Sequence, residues 1–349
     1  MGVERSEALL VMSSWAFGLQ FGTEQLARLR KIVTLQEPVV LHELDSPEAR
    51  SRLATADVLL TSWGAPPLTA EILNAAPRLR AVLHCAGSVR AIVTGAVHER
   101  GIAVSTAADV NAVPVAEYTL AAIIMAGKKA PFLARRAAWA GGGDDGADLA
   151  AADGRRETHG RRDLSNRGRR IGVVGFSRTG RRVMEMLRIL ETAEILVADP
   201  YADADAVAAL GGRLTALDEV LRRSEILTLH APALPETRHL IGAAELAMLP
   251  DGATLINTAR GALVDHDALA AACATGRIDA ILDVTEPEPL PADSPLRRME
   301  NVMITPHVAG SLGSETRRMS DHAVDELDRW LRGEPLHGLL DPTAAEVSA

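Results

Sequence analysis

The sequence predicts an α/β protein built on parallel sheets, and three observations carry that prediction. Short apolar runs alternate with amphipathic segments from one end of the chain to the other, the pattern of β-α units stacked side by side. The 349 residues are 47% hydrophobic, enough to fill two ordinary cores. Near the middle, RIGVVGFSRTGRRV (170–183) reads as an apolar strand that breaks into a glycine turn and opens a helix.

The elements follow in order. ADVLLTSW (56–63) then TAEILNAAP, LRAVLHC (79–85) then TGAVHERG, and AEILVADP (193–200) then ADAVAALG each read as a strand followed by a helix. VPVAEYTLAAIIMAGKK (113–129) reads as a long buried helix, with Pro114 in a first turn that tolerates it. The run from Gly141 to Arg169 is rich in glycine, aspartate and arginine and shows little periodicity, so a linker or mobile loop is expected there. Further strands are expected at EILTLHAP (225–232), ATLINTA (253–259), AILDV (280–284) and NVMITPH (301–307). No repeat of solenoid period is present.

Composition excludes several classes. A formal charge of −9 leaves no electrostatic footprint for a phosphate backbone, so no nucleic-acid partner is expected. Cys85 and Cys273 are the only cysteines, too few for a disulfide framework or a cysteine-based metal site, and no metal is expected. The first residues lack a signal sequence and no stretch reads as a membrane span, so the expectation is a cytoplasmic protein with no membrane partner.

The turn after the central strand has the layout that cradles a dinucleotide pyrophosphate, G-x-G-x-x-G, with one departure. Gly175 and Gly180 hold the outer positions and Ser177 replaces the middle glycine. The Ser177 hydroxyl can donate to a phosphate oxygen, and the amides of Arg178 and Thr179 lie at a helix N-terminus. Asp199 ends the next strand, where a carboxylate accepts from ribose hydroxyls and repels a 2′-phosphate. NAD is therefore expected in preference to NADP.

With that loop, INTARGALVDHDAL (256–269), ILDVTEPEPLP (281–291) and NVMITPHVAG (301–310) resemble the D-isomer-specific 2-hydroxyacid dehydrogenase family, over nearly all of the chain. The resemblance implies two Rossmann-like domains with the active site in the cleft between them. The first is discontinuous, 1–125 plus 308–349, and binds substrate; the second, 126–307, binds NAD and contains the 141–169 linker. It also implies a homodimer.

The arginine of N-x-A-R-G, the glutamate of D-V-x-x-x-E-P and the histidine of T-P-H form the family's catalytic set, and they fall here on Arg260, Glu288 and His307. Chemistry supports each role. Reducing a 2-oxo acid needs a planar cation to hold the carboxylate, for which Arg260 has two donors. The nascent alkoxide needs a proton from a group that titrates near neutrality, His307. A neighbouring carboxylate, Glu288, orients the ring and favours the imidazolium; Glu286 is a nearby acid, but only Glu288 precedes the matching proline.

By the same resemblance, the loop AGSVR offers Gly87, Ser88, Val89 and Arg90 to the substrate carboxylate. Its usual glycine pair is replaced by Ala86 and Ser88, and its usual Asp or Asn by Arg90. Arg90 can meet a second anionic group on a larger substrate. Asp283, Thr258 and Ala259 are expected to face the nicotinamide, His230 and Pro232 to border its ribose, and Thr119 to lie nearby. The reaction implied is NAD-dependent reduction of a small anionic 2-oxo acid to a D-2-hydroxy acid. The alternatives are a nicotinamide-sensing corepressor-like protein and oxidation of another small anion such as phosphite.

Overall fold

The computed structural model describes residues 5–140 and 164–341. The chain forms two compact units, one from the described residues up to Ala112 together with those from Ser311 onward, the other from Val113–Gly310.

The first unit holds β1 (Glu7–Val11), β2 (Thr34–Leu41), β3 (Val58–Thr61), β4 (Ala81–His84) and β5 (Ala103–Thr106). They form one parallel sheet in the order β2-β1-β3-β4-β5. Successive side chains of a strand point to opposite faces. Leu9, Val11 and Leu59 therefore enter one core, and Ala8, Leu10, Val58 and Leu60 enter the other. The helix Thr316–Leu331 closes the second core with Ala323, Val324 and Leu327. Beyond it, Leu339 bridges Ser105 and covers the β5 edge.

The second unit holds β6 (Arg170–Val174), β7 (Glu194–Ala198), β8 (Arg213–Leu214), β9 (Ile226–Leu229), β10 (Thr254–Asn257), β11 (Asp279–Leu282) and β12 (Val302–Ile304). Their order is β12-β11-β10-β9-β6-β7-β8, all parallel. The order reverses between β6 and β9, and in open parallel sheets the ligand crevice lies outside the carboxyl ends at such a reversal.

The long helix differs from its expected form. It runs Ala108–Gly127, so it starts earlier than expected, carries the chain from one unit into the other, and holds Pro114 in its interior. Pro114 has no N–H for the carbonyl one turn back, a loss the remaining turns tolerate. By length and composition this helix is also apolar enough to cross a membrane, which corrects the expectation that no stretch is. Its buried face argues for a core helix instead: Ala116, Ala122, Ile123 and Ala126 pack with Ile171 and Val173. Lys129 follows at φ +52 with its ammonium buried, donating to Gly252 O at 2.6 Å and Thr254 Oγ1 at 2.9 Å and pairing with Asp279.

Of the expected linker, 141–163 lies outside the described residues. Its last residues are anchored: Asn166 Nδ2 donates to Ile124 O at 3.1 Å and Arg169 pairs with Glu225 at 2.8 Å.

Candidate active site

The glycine loop sits at the β6/β9 reversal. Gly175 takes φ +97, and a Cβ there would overlap the backbone of His230 and Ala231, the residues that follow β9. A Cβ on Gly180 would overlap the carbonyl of Gly175. Both glycines are thus demanded by the packing of strand on helix. Ser177 is not in that position. It is the N-cap of the helix Arg178–Leu187 at φ −68, where its Oγ accepts from Gly180 N at 3.3 Å. An accepting hydroxyl keeps its own proton to donate.

Asp199 lies beside the loop. Its Oδ2 accepts from Phe176 N at 2.7 Å and its Oδ1 from Tyr201 N at 2.8 Å. Each carboxylate oxygen retains a second lone pair for a ligand hydroxyl. His230 is buried, with Nε2 at 2.9 Å from Thr228 Oγ1 and Nδ1 unpartnered among the described residues. Burial pushes its pKa down to about 3, so the ring is neutral. Pro232 accepts through its carbonyl from Thr237 Oγ1 at 2.6 Å. A helix N-terminus, two glycines without room for a side chain, a carboxylate one strand away and an orphaned buried nitrogen fit a dinucleotide.

Three loops at the same edge of the second sheet hold the expected catalytic residues. After β10, the Asn257 side chain ties the turn, donating to Arg260 O at 2.9 Å and accepting from Ala259 N at 3.1 Å. Arg260 Nη1 donates to Ala259 O at 2.7 Å. A Cβ on Gly261 would overlap the Thr285 carbonyl, so the turn presses on the loop after β11. That loop separates its two acids. Glu288 Oε1 lies 2.7 Å from His307 Nδ1, whereas Glu286 Oε1 takes a hydrogen bond from Arg238 Nη1 at 2.8 Å.

His307 itself sits at φ +55, a region that side chains other than glycine rarely adopt. Asp283 holds it there. The Asp283 carbonyl accepts from His307 N at 2.9 Å, and its buried carboxylate accepts from Thr305 Oγ1 at 2.6 Å, Val308 N at 2.8 Å and Ala309 N at 2.9 Å. Behind it, Tyr118 OH meets Thr305 Oγ1 at 2.7 Å, its pKa raised by burial. Thr119 is fully buried and bonds Thr258 Oγ1 at 2.8 Å, which places it behind that residue.

The Gly87–Arg90 loop follows β4 in the first unit. Val89 is buried and its carbonyl accepts from Ile92 N at 2.9 Å and Val93 N at 2.8 Å; Ser88 and Arg90 are exposed. The loop rests on His84, whose Nδ1 is 2.9 Å from Thr61 Oγ1. Burial lowers the His84 pKa to about 4, against a smaller upward pull from the Ser88 backbone. Asn257, Thr305, Tyr118 and Arg238 were not singled out from the sequence; the N of N-x-A-R-G and the T of T-P-H were the signals that could have found the first two. Among the described residues, no group of three His, Cys, Asp or Glu stands close enough to hold a metal ion.

The chain resembles known proteins in both sequence and fold. Residues 146–309 match the model of the D-isomer specific 2-hydroxyacid dehydrogenase, NAD binding domain. The chain is 33% identical to glyoxylate/hydroxypyruvate reductase B of Pectobacterium carotovorum, covering 90% of this chain and 94% of that protein. It is 30% identical to D-3-phosphoglycerate dehydrogenase of Archaeoglobus fulgidus over 80% of this chain, and spans 50% of that protein's length. Among solved structures, a phosphoglycerate oxidoreductase from Rhizobium etli superposes with a TM-score of 0.78 at 26% identity, covering 96% of this chain and 98% of that one. The strand order, the loop at the reversal and these matches together place the chain in the D-isomer specific 2-hydroxyacid dehydrogenase family.

Proposed function

We propose that this protein reduces a small 2-oxo acid to a D-2-hydroxy acid with NADH, reversibly. The observation that carries the reading is the 2.7 Å contact between His307 Nδ1 and Glu288 Oε1, on a loop that Asp283 holds in a left-handed turn. With Nδ1 committed to Glu288, the proton for the substrate oxygen sits on Nε2. Glu288 orients the ring through that contact. Arg260 holds the substrate carboxylate and polarises the carbonyl, with its turn kept in shape by Asn257.

A nicotinamide bound at the second unit supplies the hydride. The chain would hold that cofactor through Gly175, Ser177, Arg178, Thr179 and Gly180 at the pyrophosphate, and Asp199 at the adenine ribose. Nearer the nicotinamide it would use His230, Pro232, Thr258, Ala259 and Asp283. The Asp199 carboxylate beside the loop favours NAD over NADP, since it repels a 2′-phosphate. On this reading the first unit is the substrate domain and its loop from Gly87 to Arg90 receives the carboxylate. A cytoplasmic homodimer fits the family resemblance.

The test is NADH oxidation followed by absorbance with glyoxylate, hydroxypyruvate, pyruvate and phenylpyruvate, in parallel with NADPH. Turnover is expected with NADH and a loss of three orders of magnitude or more in kcat for His307→Ala. Equal turnover in the variant would overturn the role of His307.

A further inference from the structure

The first unit has a reversal of its own. Its chain passes from β1 to β2 on one side, then crosses β1 to β3 on the other, so the order β2-β1-β3-β4-β5 switches between β1 and β3. In sheets of this order a planar ligand can lie outside the carboxyl ends at that point. The two loops there are locked together. Ser13 N donates to Trp63 O at 2.9 Å, Ser62 N donates to Val11 O at 3.2 Å, and Gly64, at φ +80, presses on Ser13.

The turn after β3 carries one indole, Trp63, and the first turn of the helix Ser14–Gln20, which follows β1, carries another, Trp15. The Trp15 and Trp63 rings lie 5.4 Å apart, tilted by 38°, with Trp63 half-buried and Trp15 64% exposed. Trp63 packs in part on the core that the helix Thr316–Leu331 closes, whereas Trp15 keeps most of its ring in water, where a large aromatic face is a recognition feature more than a packing one.

Its neighbour is the carboxylate loop. Cys85 N donates to Thr61 O at 2.7 Å and Ser62 Oγ to Cys85 O at 3.4 Å, so Trp63 and Ala86 leave the sheet side by side. Adjacent strands are about 4.8 Å apart, a separation on the scale of that between the carboxylate and the ring of an arylpyruvate. The charges agree with that orientation. Indole faces carry partial negative charge and disfavour a carboxylate, while Arg90 on the next loop attracts one.

We propose that Trp15 and Trp63 form the platform for a planar aromatic substituent, so that the acid taken here is an aryl-substituted 2-oxo acid. The proposal rests on the 2-oxo acid reading above and narrows its substrate class. The experiment compares kcat/KM for phenylpyruvate with that for glyoxylate in the wild type, Trp63→Leu and Trp15→Ser. Trp15 is exposed, so its variant keeps the test valid should Trp63→Leu fail to fold. The expected result is a wild-type preference for phenylpyruvate of tenfold or more, which falls by tenfold or more in either variant, mainly through KM.

A wild type that prefers glyoxylate, or a ratio that neither variant moves, overturns the platform. So does a Trp15→Ser variant that changes the oligomeric state and leaves the ratio alone, because the indoles would then face a second copy of the chain. If no 2-oxo acid is turned over, the parent reading fails, and calorimetric titration of phenylpyruvate into the wild type and Trp63→Leu decides the platform separately. Saturable heat lost in the variant supports it; no heat in the wild type overturns it.

Discussion

The loop after β6 and the loop after β4 occupy equivalent places, each leaving the carboxyl end of a strand in a parallel sheet, but different forces shape them. In the first, Gly175 and Gly180 have no room for a Cβ because backbone lies against them. In the second, a Cβ on Gly87 would meet only the Asn111 amide, at 3.6 Å. The fold therefore dictates the cofactor loop and leaves the substrate loop free. A loop that packing dictates carries a motif, and a loop that packing leaves free carries what is particular to one protein.

Beside each loop stands a buried neutral histidine bonded to a threonine: His230, just after β9, with Thr228, and His84, the last residue of β4, with Thr61. The largest effect should come from them. Both folded-state pKa values are depressed, to about 3 and about 4, so the unfolded chain takes up protons first as pH falls. Their stabilisation is complete above about pH 6.5, the ordinary histidine value, and is lost as pH falls toward the folded values. Each unit of pH is worth about 1.4 kcal/mol per histidine in that window, several kcal/mol in all. Denaturant unfolding at pH 7 and pH 4.5 should show it. If stability is flat between them, neither ring is held neutral.

Next in size is Gly180→Ala, where the new methyl meets the Gly175 carbonyl. Overpacking against backbone costs about 1–3 kcal/mol, and thermal unfolding would register it directly. A variant as stable as the parent would mean that the loop can move aside, and the contrast between the two loops would lose its physical basis.

Smaller again is the effect at Ser177. Replacing an N-cap serine by alanine costs about 1 kcal/mol, and by glycine a few tenths. Ser177→Ala should therefore lower stability measurably while Ser177→Gly stays close to the parent. Equal losses in the two would show that the hydroxyl does not cap the helix.

The same contrast explains what the sequence could disclose. The strand-turn-helix at 170–183 and the runs ending in Arg260, Glu288 and His307 were legible because backbone packing at Gly175, Gly180 and Gly261 restricts which residues can stand there. Less was legible where a side chain works through another. Asp283 was expected at the nicotinamide, and the structure gives its carboxylate three bonds that shape the His307 turn, a long-range arrangement with no local signature. The start of the long helix was misplaced because Pro114 is a plausible first-turn residue in isolation, and only the packing around it reveals the turn that precedes it. The aromatic pair at Trp15 and Trp63 is 48 residues apart in the chain and meets only through the crossover of β1 and β3.

Gly87→Ala is the smallest effect and the sharpest check on the comparison. Gly87 has no left-handed φ, and the nearest atom to a new methyl is the Asn111 Nδ2, at ordinary contact distance. Asn111 is itself engaged, its Oδ1 accepting from Ser311 N at 3.1 Å, so the amide has no reason to move. Alanine also narrows the unfolded chain's freedom, which favours the folded state by about 0.4–1 kcal/mol where the native backbone suits it. The expected outcome is a thermal midpoint equal to or slightly above the parent's, with any loss confined to KM for the acid. A drop of the size seen for Gly180→Ala would mean that the substrate loop is as tightly dictated by packing as the cofactor loop, and that its departures from the family pattern at Ala86, Ser88 and Arg90 reflect a different packing solution more than a different substrate.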